Sequence, residues 1–416
     1  MIYKNVVCRD DSRRLTWPDI AIARSGRLVC VLTEQSGTGD RSTTRVMCVT
    51  SDDRGRTWSE RKPVTPAQEC RSAWDPSWRC PRITALSDGR LAVIVDRVST
   101  PRQNGAIPGE QSNWICISND SGETWDLPRK TPVTGSLPDH IVELSSGPHA
   151  GRWLTTTHAT MGNGSRHWMQ QAWISENRGH TWEGPFVIAD EPGLKLCEGS
   201  VMPLPGGELV CFLRNESGKD GETFRTVSRD GGITWGEVVS FPLPGCYRPR
   251  GQVLRSGRVM IAYRFRQATR TANPHPENLF VALTDVDSCL GAPEDAQVRI
   301  MPLDYDRSAR PDLGYSGWVQ FPDGGICVVN HIVDNAPAAH VRGYHFRESD
   351  FVLPGPEPAP AVVSRNGSGS GTPFPVTPRS GFVSPRSGTV APFPVRPSTE
   401  NPFPGPPAGG SRPAFV

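Results

Sequence analysis

The sequence predicts an all-β chain, a six-bladed β-propeller of four-stranded antiparallel blades over residues 1–353, followed by a Pro-rich disordered tail over 354–416. Three observations predict it. An octet of the form Ser-x-Asp-x-Gly-x-Thr-Trp occurs four times. A pair of apolar runs joined at a Gly turn occurs six times, in phase with the octet. The composition then changes abruptly at Pro354.

The octet stands at Ser51–Trp58, Ser118–Trp125, Ser175–Trp182 (with Asn177 in the Asp position) and Ser228–Trp235, with Trp-to-Trp steps of 67, 57 and 53 residues. The paired apolar runs turn at Gly26, Gly89, Gly147, Gly207, Gly257 and Gly324. An octet follows each of the first four pairs. After the fifth, "LTDVDSCLG" around Asp285 keeps a turn but lacks Thr-Trp. Each unit therefore reads as two strands joined at a Gly turn and two more joined at the octet, which is a propeller blade. The sixth unit is short of strands before Pro354, so ring closure is expected to take a strand from the N-terminus. A tandem pair of β-sandwiches is the alternative architecture, but sandwiches do not demand a phase-locked double repeat.

Within the octet, the Ser and Asp oxygens suit the backbone N–H groups of a tight turn, Gly supplies a positive φ, and Trp offers a large packing face. Three copies of a catalytic acid in one repeated motif make no chemical sense, so Asp53, Asp120 and Asp230 read as structural.

Sixteen of the last 63 residues are Pro, and "TPFPVTPRSG", "APFPVRPSTE" and "NPFPGPPAGG" form a degenerate triplet. Such a segment cannot build a core. It reads either as a solvated tail, which the composition favours, or as a docking segment for a protein partner anchored by its Phe residues.

A formal charge of +2 gives no electrostatic case for nucleic acid or an anionic membrane. The eleven cysteines show no Cys-x-x-Cys spacing and lie mostly in apolar runs, which suits reduced, buried thiols. The opening "MIYKNVVCRDDSRR" lacks the apolar core of a secretory signal, and the expected location is cytoplasmic. No cofactor is expected, since neither a P-loop nor a dinucleotide fingerprint occurs. No metal is expected either: His158 and His331 follow apolar strands, and no His/Cys/Asp set has credible ligand spacing.

The four octets on this spacing resemble the Asp boxes of the sialidase (neuraminidase) superfamily of six-bladed propellers, over roughly residues 10–350. That resemblance implies a glycan or small acidic sugar as substrate and a retaining mechanism with a Tyr nucleophile. In the family a Glu precedes an Arg of the carboxylate-binding triad by some sixteen residues, across a strand, a Gly turn and a strand. "CEGSVMPLPGGELVCFLRNES" matches this with Glu198 as base and Arg214 as triad arginine. "CYRPRGQVLRSGRV" offers Arg250 as a further triad arginine, and "DLGYSGWVQFPDGG" offers Tyr315 as the nucleophile. The first blade departs from the family's Arg-Ile-Pro opening, with Trp17, Pro18 and Asp19 there instead. The first arginine is then expected from "RCPRITALSDG", as Arg82 or Arg79. The acid is expected in "TEQSGTGDRSTT", as Asp40, with Asp19, Asp75 and Asp96 as rivals. The implied activity is that of an exo-acting sialidase-like hydrolase. A non-catalytic carbohydrate- or protein-binding propeller and a propeller hydrolase for another sugar are the alternatives.

Overall fold

The computed structural model describes residues 2–37, 42–72, 75–99, 111–160, 168–217, 223–266 and 276–351. The expected tail over 354–416 lies outside the described residues. The short β-branched and aromatic runs form strands where the punctuation places them. After β1 (Tyr3–Cys8), blade 1 comprises β2 (Arg13–Ile22), β3 (Leu28–Ser36), β4 (Ser42–Ser51) and β5 (Lys62–Pro63), with β6 (Gln68–Cys70) also paired to β4. Blade 2 comprises β7 (Ser77–Ala85), β8 (Leu91–Val98), β9 (Gln111–Ser118) and β10 (Arg129–Lys130). Blade 3 comprises β11 (Val142–Glu143), β12 (Trp153–Thr160), β13 (Trp168–Ser175) and β14 (Glu183–Ala189). Blade 4 comprises β15 (Leu196–Pro203), β16 (Leu209–Asn215), β17 (Thr223–Ser228) and β18 (Val239–Phe241). Blade 5 comprises β19 (Cys246–Val253), β20 (Val259–Arg266), β21 (Glu277–Thr284) and β22 (Arg299–Tyr305). Blade 6 comprises β23 (Leu313–Gln320), β24 (Gly325–Ile332) and β25 (His340–Arg347).

The sixth blade takes its outermost strand from the N-terminus. β1 pairs antiparallel with β25, Lys4 opposite Tyr344 and Asn5 opposite Gly343. Lys4 also reaches Asp304 of blade 5 at 2.9 Å, and the Asn5 amide donates to Gly55 O of blade 1 at 2.6 Å. A terminal strand that bridges three blades makes closure cooperative.

Strand alternation sends successive side chains to opposite faces, so each blade feeds two interfaces. Leu28, Cys30 and Leu32 of β3 pack with Val319, Cys327 and Val329 of blade 6, while Val29 and Val31 pack with Ile83, Val93 and Val95 of blade 2. The same division gives one buried apolar cluster at each of the six blade–blade interfaces. All eleven cysteines are buried and free.

The octets close the turns between third and fourth strands. In the first, Gly55 N–H donates to Ser51 Oγ at 2.8 Å, Thr57 N–H to Asp53 Oδ1 at 2.8 Å, and Thr57 Oγ1 to Asp53 Oδ2 at 2.6 Å. The hydrogen bond to the Thr57 hydroxyl leads those that hold Asp53 ionised down to about pH 2. The other three octets repeat the pattern around Asp120, Asn177 and Asp230. In blade 5 a short helix, Val286–Leu290, takes the octet's place, with Asp285 capping Ser288 N–H at 2.7 Å.

Candidate functional site

The first strands of neighbouring blades pack around a central channel, and each inner run breaks at one quasi-equivalent place. The ladder slips between Thr16 and Asp19, Arg79 and Arg82, Cys197 and Ser200, Tyr247 and Arg250, and Gly314 and Gly317. The residue at each slip is left-handed: Trp17 (φ 54°), Cys80 (49°), Glu198 (50°), Arg248 (51°) and Tyr315 (55°), with Leu137 (53°) the counterpart in blade 3. Four of the six are followed by Pro (Pro18, Pro81, Pro138, Pro249), which has no N–H to leave unpaired at the break. A non-Gly residue in this region costs roughly 1–3 kcal/mol, and six of them at one channel mouth are a built feature. The bulges turn one side chain per blade toward a common centre.

Glu198, Arg248 and Tyr315 supply the strongly polar groups among the six. The Tyr315 hydroxyl donates to Glu198 Oε1 at 2.5 Å, and Arg214, on β16, holds Glu198 Oε2 at 2.7 Å. Arg214 also contacts Glu216. The Tyr315 ring is ringed by guanidinium groups, with Arg264 at 5.5 Å, Arg248 at 5.6 Å and Arg82 at 5.8 Å from its centroid. Trp17 meets it edge-on at 6.2 Å. Both flanking glycines are required. A Cβ on Gly314 (φ 134°) would come within 2.9 Å of Arg264 Cδ, and one on Gly317 would sit 2.1 Å from Asp19 Oδ1. Glycine at 314 and 317 thus lets Arg264 and Asp19 close on both sides of the tyrosine.

Electrostatics divide the roles. Burial alone would raise the Glu198 carboxyl, but Arg214 and Arg248 outweigh it and hold the group at about 2. Burial and the Glu198 charge push the Tyr315 phenol above its ordinary value, against the opposing pull of Arg214 and Arg264. The resting pair is therefore a neutral phenol donating to a carboxylate. As negative charge develops on the phenol oxygen, the surrounding guanidinium groups stabilise it. Burial pushes the Asp96 carboxyl up to about 6, and burial pushes His158 down to about 4.

The sequence-derived candidates divide accordingly. Tyr315, Glu198 and Arg214 come together. Arg82 reaches the same centre from beneath: its Nη1 donates to Pro18 O at 3.2 Å and to Tyr315 O at 3.3 Å, so it braces two bulges. Arg250 does not join them. Two residues past its bulge, it points toward the other end of the channel and lies against the His140 ring, 2.7 Å from Nε2. Arg248 takes the position expected of Arg250, and Arg264 and Tyr247 complete the cluster, with Arg214 at 4.3 Å from the Tyr247 ring. The missed signal is a spacing. Glu198, Arg248 and Tyr315 each stand nine residues before the Gly of their own turn, at Gly207, Gly257 and Gly324. Asp40 lies outside the described residues. Of its rivals, Asp75 caps the turn at Arg71 and Ser72, and Asp19 accepts from Ile83 N–H at 2.9 Å. Asp96 is buried and accepts from Leu137 N–H at 3.1 Å. Arg79 donates to Ser77 Oγ at 3.0 Å.

The BNR repeat-like domain family matches residues 76–286, half of the chain. A Dyadobacter fermentans protein of unknown function superposes with a TM-score of 0.68 at 19% identity, covering 83% of this chain and 99% of that one. The NanB sialidase of Streptococcus pneumoniae follows at 0.58 and 13%, covering 84% and 70%. An α-L-arabinofuranosidase of Fusarium graminearum superposes at 0.56 and 12%, covering 84% and 98%. Likenesses at such identities speak for the fold, and the family match speaks for descent. The chain belongs to the BNR repeat-like domain family, and its six-bladed propeller is the fold it shares with these structures.

Proposed function

We propose that the protein is a retaining exo-glycoside hydrolase for a terminal sialic acid or a related acidic sugar. The observation that carries this reading is the Tyr315–Glu198 hydrogen bond at the centre of a guanidinium cluster. A carboxylate nucleophile would be repelled by a substrate whose own carboxylate adjoins the anomeric carbon, whereas a neutral phenol is not. The phenol becomes reactive by passing its proton to Glu198 as its oxygen bonds to the anomeric carbon. The glycosidic C–O bond breaks in the same step, and the leaving oxygen takes a proton from the acid, proposed to be Asp40. Water then attacks the anomeric carbon of the glycosyl–tyrosine intermediate, an aryl glycoside, with that residue as base, and Glu198 returns the proton to Tyr315 as its oxygen departs. Arg214, Arg248 and Arg264 would hold the substrate carboxylate and offset the charge on the phenol oxygen.

The test is release of a fluorescent aryl alcohol from its α-sialoside by the full chain. Turnover that disappears in Tyr315→Phe supports the reading. Absence of turnover together with saturable binding of free sialic acid would make the propeller a carbohydrate-binding module instead.

A further inference from the structure

The end of the channel opposite Tyr315 holds a second charged feature that the hydrolase reading does not use. Past the bulges, toward the Gly turns, the inner strands line a solvent-open cavity of about 550 Å³. Ile20, Ile22, Val201, Val253 and Val319 line it, and Arg250 and His140 lie among these apolar walls. Arg250 is 6% exposed, and its Nε has no hydrogen-bond partner. No carboxylate among the described residues lies within ion-pair distance of it. Asp139 feels the Arg250 charge, but its carboxylate is engaged by His140 at 3.0 Å and by Arg248 at 3.8 Å. Glu143, also on the cavity wall, is tied to Ser87 N–H and Oγ at 2.6 and 2.8 Å. A guanidinium withdrawn from water whose carboxylate neighbour is already shared with other cations is a costly arrangement unless an anion completes it.

We propose that this cavity is a second ligand site, for a small organic anion whose carboxylate pairs with Arg250 and whose short apolar body lies against the isoleucine and valine walls. The planar guanidinium offers a fork that a carboxylate fills with two hydrogen bonds, and desolvation by the apolar walls strengthens both. Inorganic anions lack the apolar body and gain only the charge pairing. Arg250 contacts His140 and not the Tyr315 ring, which Arg82, Arg248 and Arg264 surround, so the site does not depend on the hydrolase reading.

Hexanoate titrated into the full chain by calorimetry tests this. The expected result is one-site binding with Kd on the order of 1 mM, and binding of hexan-1-ol at least about tenfold weaker. Arg250→Gln is expected to lose the hexanoate signal while Arg214→Gln keeps it. That pair of variants separates this site from the arginines around Tyr315. Equal binding of hexan-1-ol, retention of hexanoate binding in Arg250→Gln, or no saturable heat up to about 50 mM hexanoate overturns the proposal. Should Arg250→Gln fail to fold, the comparison of acid with alcohol on the unaltered protein decides alone.

Discussion

The Tyr315 hydroxyl meets Glu198 Oε1 at 2.5 Å although 117 positions of sequence separate the two residues. Each sits in the left-handed position of its inner strand, two blades apart around the ring. The pair tests the mechanism directly. Tyr315→Phe deletes one oxygen and leaves the Glu198–Arg214 ion pair in place, so the fold should lose only about 1 kcal/mol. Glu198→Gln keeps the shape but cannot take a proton, and kcat on an aryl α-sialoside is expected to fall about 10²–10⁴-fold. Tyr315→Phe should fall at least as far, with melting temperatures of both variants showing that the loss is chemical.

The fold was legible because every blade repeats the same local chemistry. The Gly26 to Gly324 turns set the period, and the octets at Ser51, Ser118, Ser175 and Ser228 set the phase. Glu198, Arg214 and Tyr315 were legible because each lies in a stretch resembling a known motif. Position before the Gly turn points to Arg250 in "CYRPRG", and alternation cannot separate Arg248 from Arg250, which stand two residues apart. The left-handed break at Arg248 reverses which side chain faces the mouth. Arg264 and Tyr247 carry no local signal. They reach the site through cross-strand pairing of β19 with β20, which only the register reveals.

That register makes a quantitative contrast. Arg248 lies 5.6 Å from the Tyr315 ring centroid and Arg250 faces His140. Lys keeps the charge of either residue but loses the planar fork. Arg248→Lys is expected to raise KM for the sialoside about 10–100-fold. Arg250→Lys should raise it at least about tenfold less. A larger effect at Arg250 would mean that it, and not Arg248, meets the substrate.

Asp96 gives a stability prediction with a defined sign. Burial raises its carboxyl from 3.8 to about 6 in the folded state. The folded protein therefore holds this proton more tightly than the unfolded chain. Below about pH 4 both states are protonated and nothing is lost. Between about pH 4 and 6 the unfolded chain ionises while the folded state still holds the proton, so stability declines by about 3 kcal/mol for a shift of this size and stays at that lower level above pH 6. Asp96→Asn removes the charge without changing the shape. Its melting temperature should match the parent's near pH 4 and exceed it at pH 7.5. An equal difference at both pH values would show that Asp96 is solvated in the folded protein.

The acid is decided by the leaving group. Glu198, held at about 2, is ionised throughout the range above pH 4, so the acid limb of kcat/KM in that range cannot come from the base. An alkaline limb instead reports loss of the proton that the acid gives to the leaving oxygen. For an alkyl sialoside that proton is essential, because an alkoxide is a poor leaving group. For a 4-nitrophenyl sialoside it is nearly dispensable, because the phenolate leaves unaided. Asp40→Asn is therefore expected to lose activity about 10²–10⁴-fold on the alkyl substrate and far less on the nitrophenyl one, with the alkaline limb gone. Asp96→Asn should treat the two substrates alike. If the leaving-group dependence and the vanished limb follow Asp96→Asn instead, the proton comes from blade 2, and Asp40 has another role.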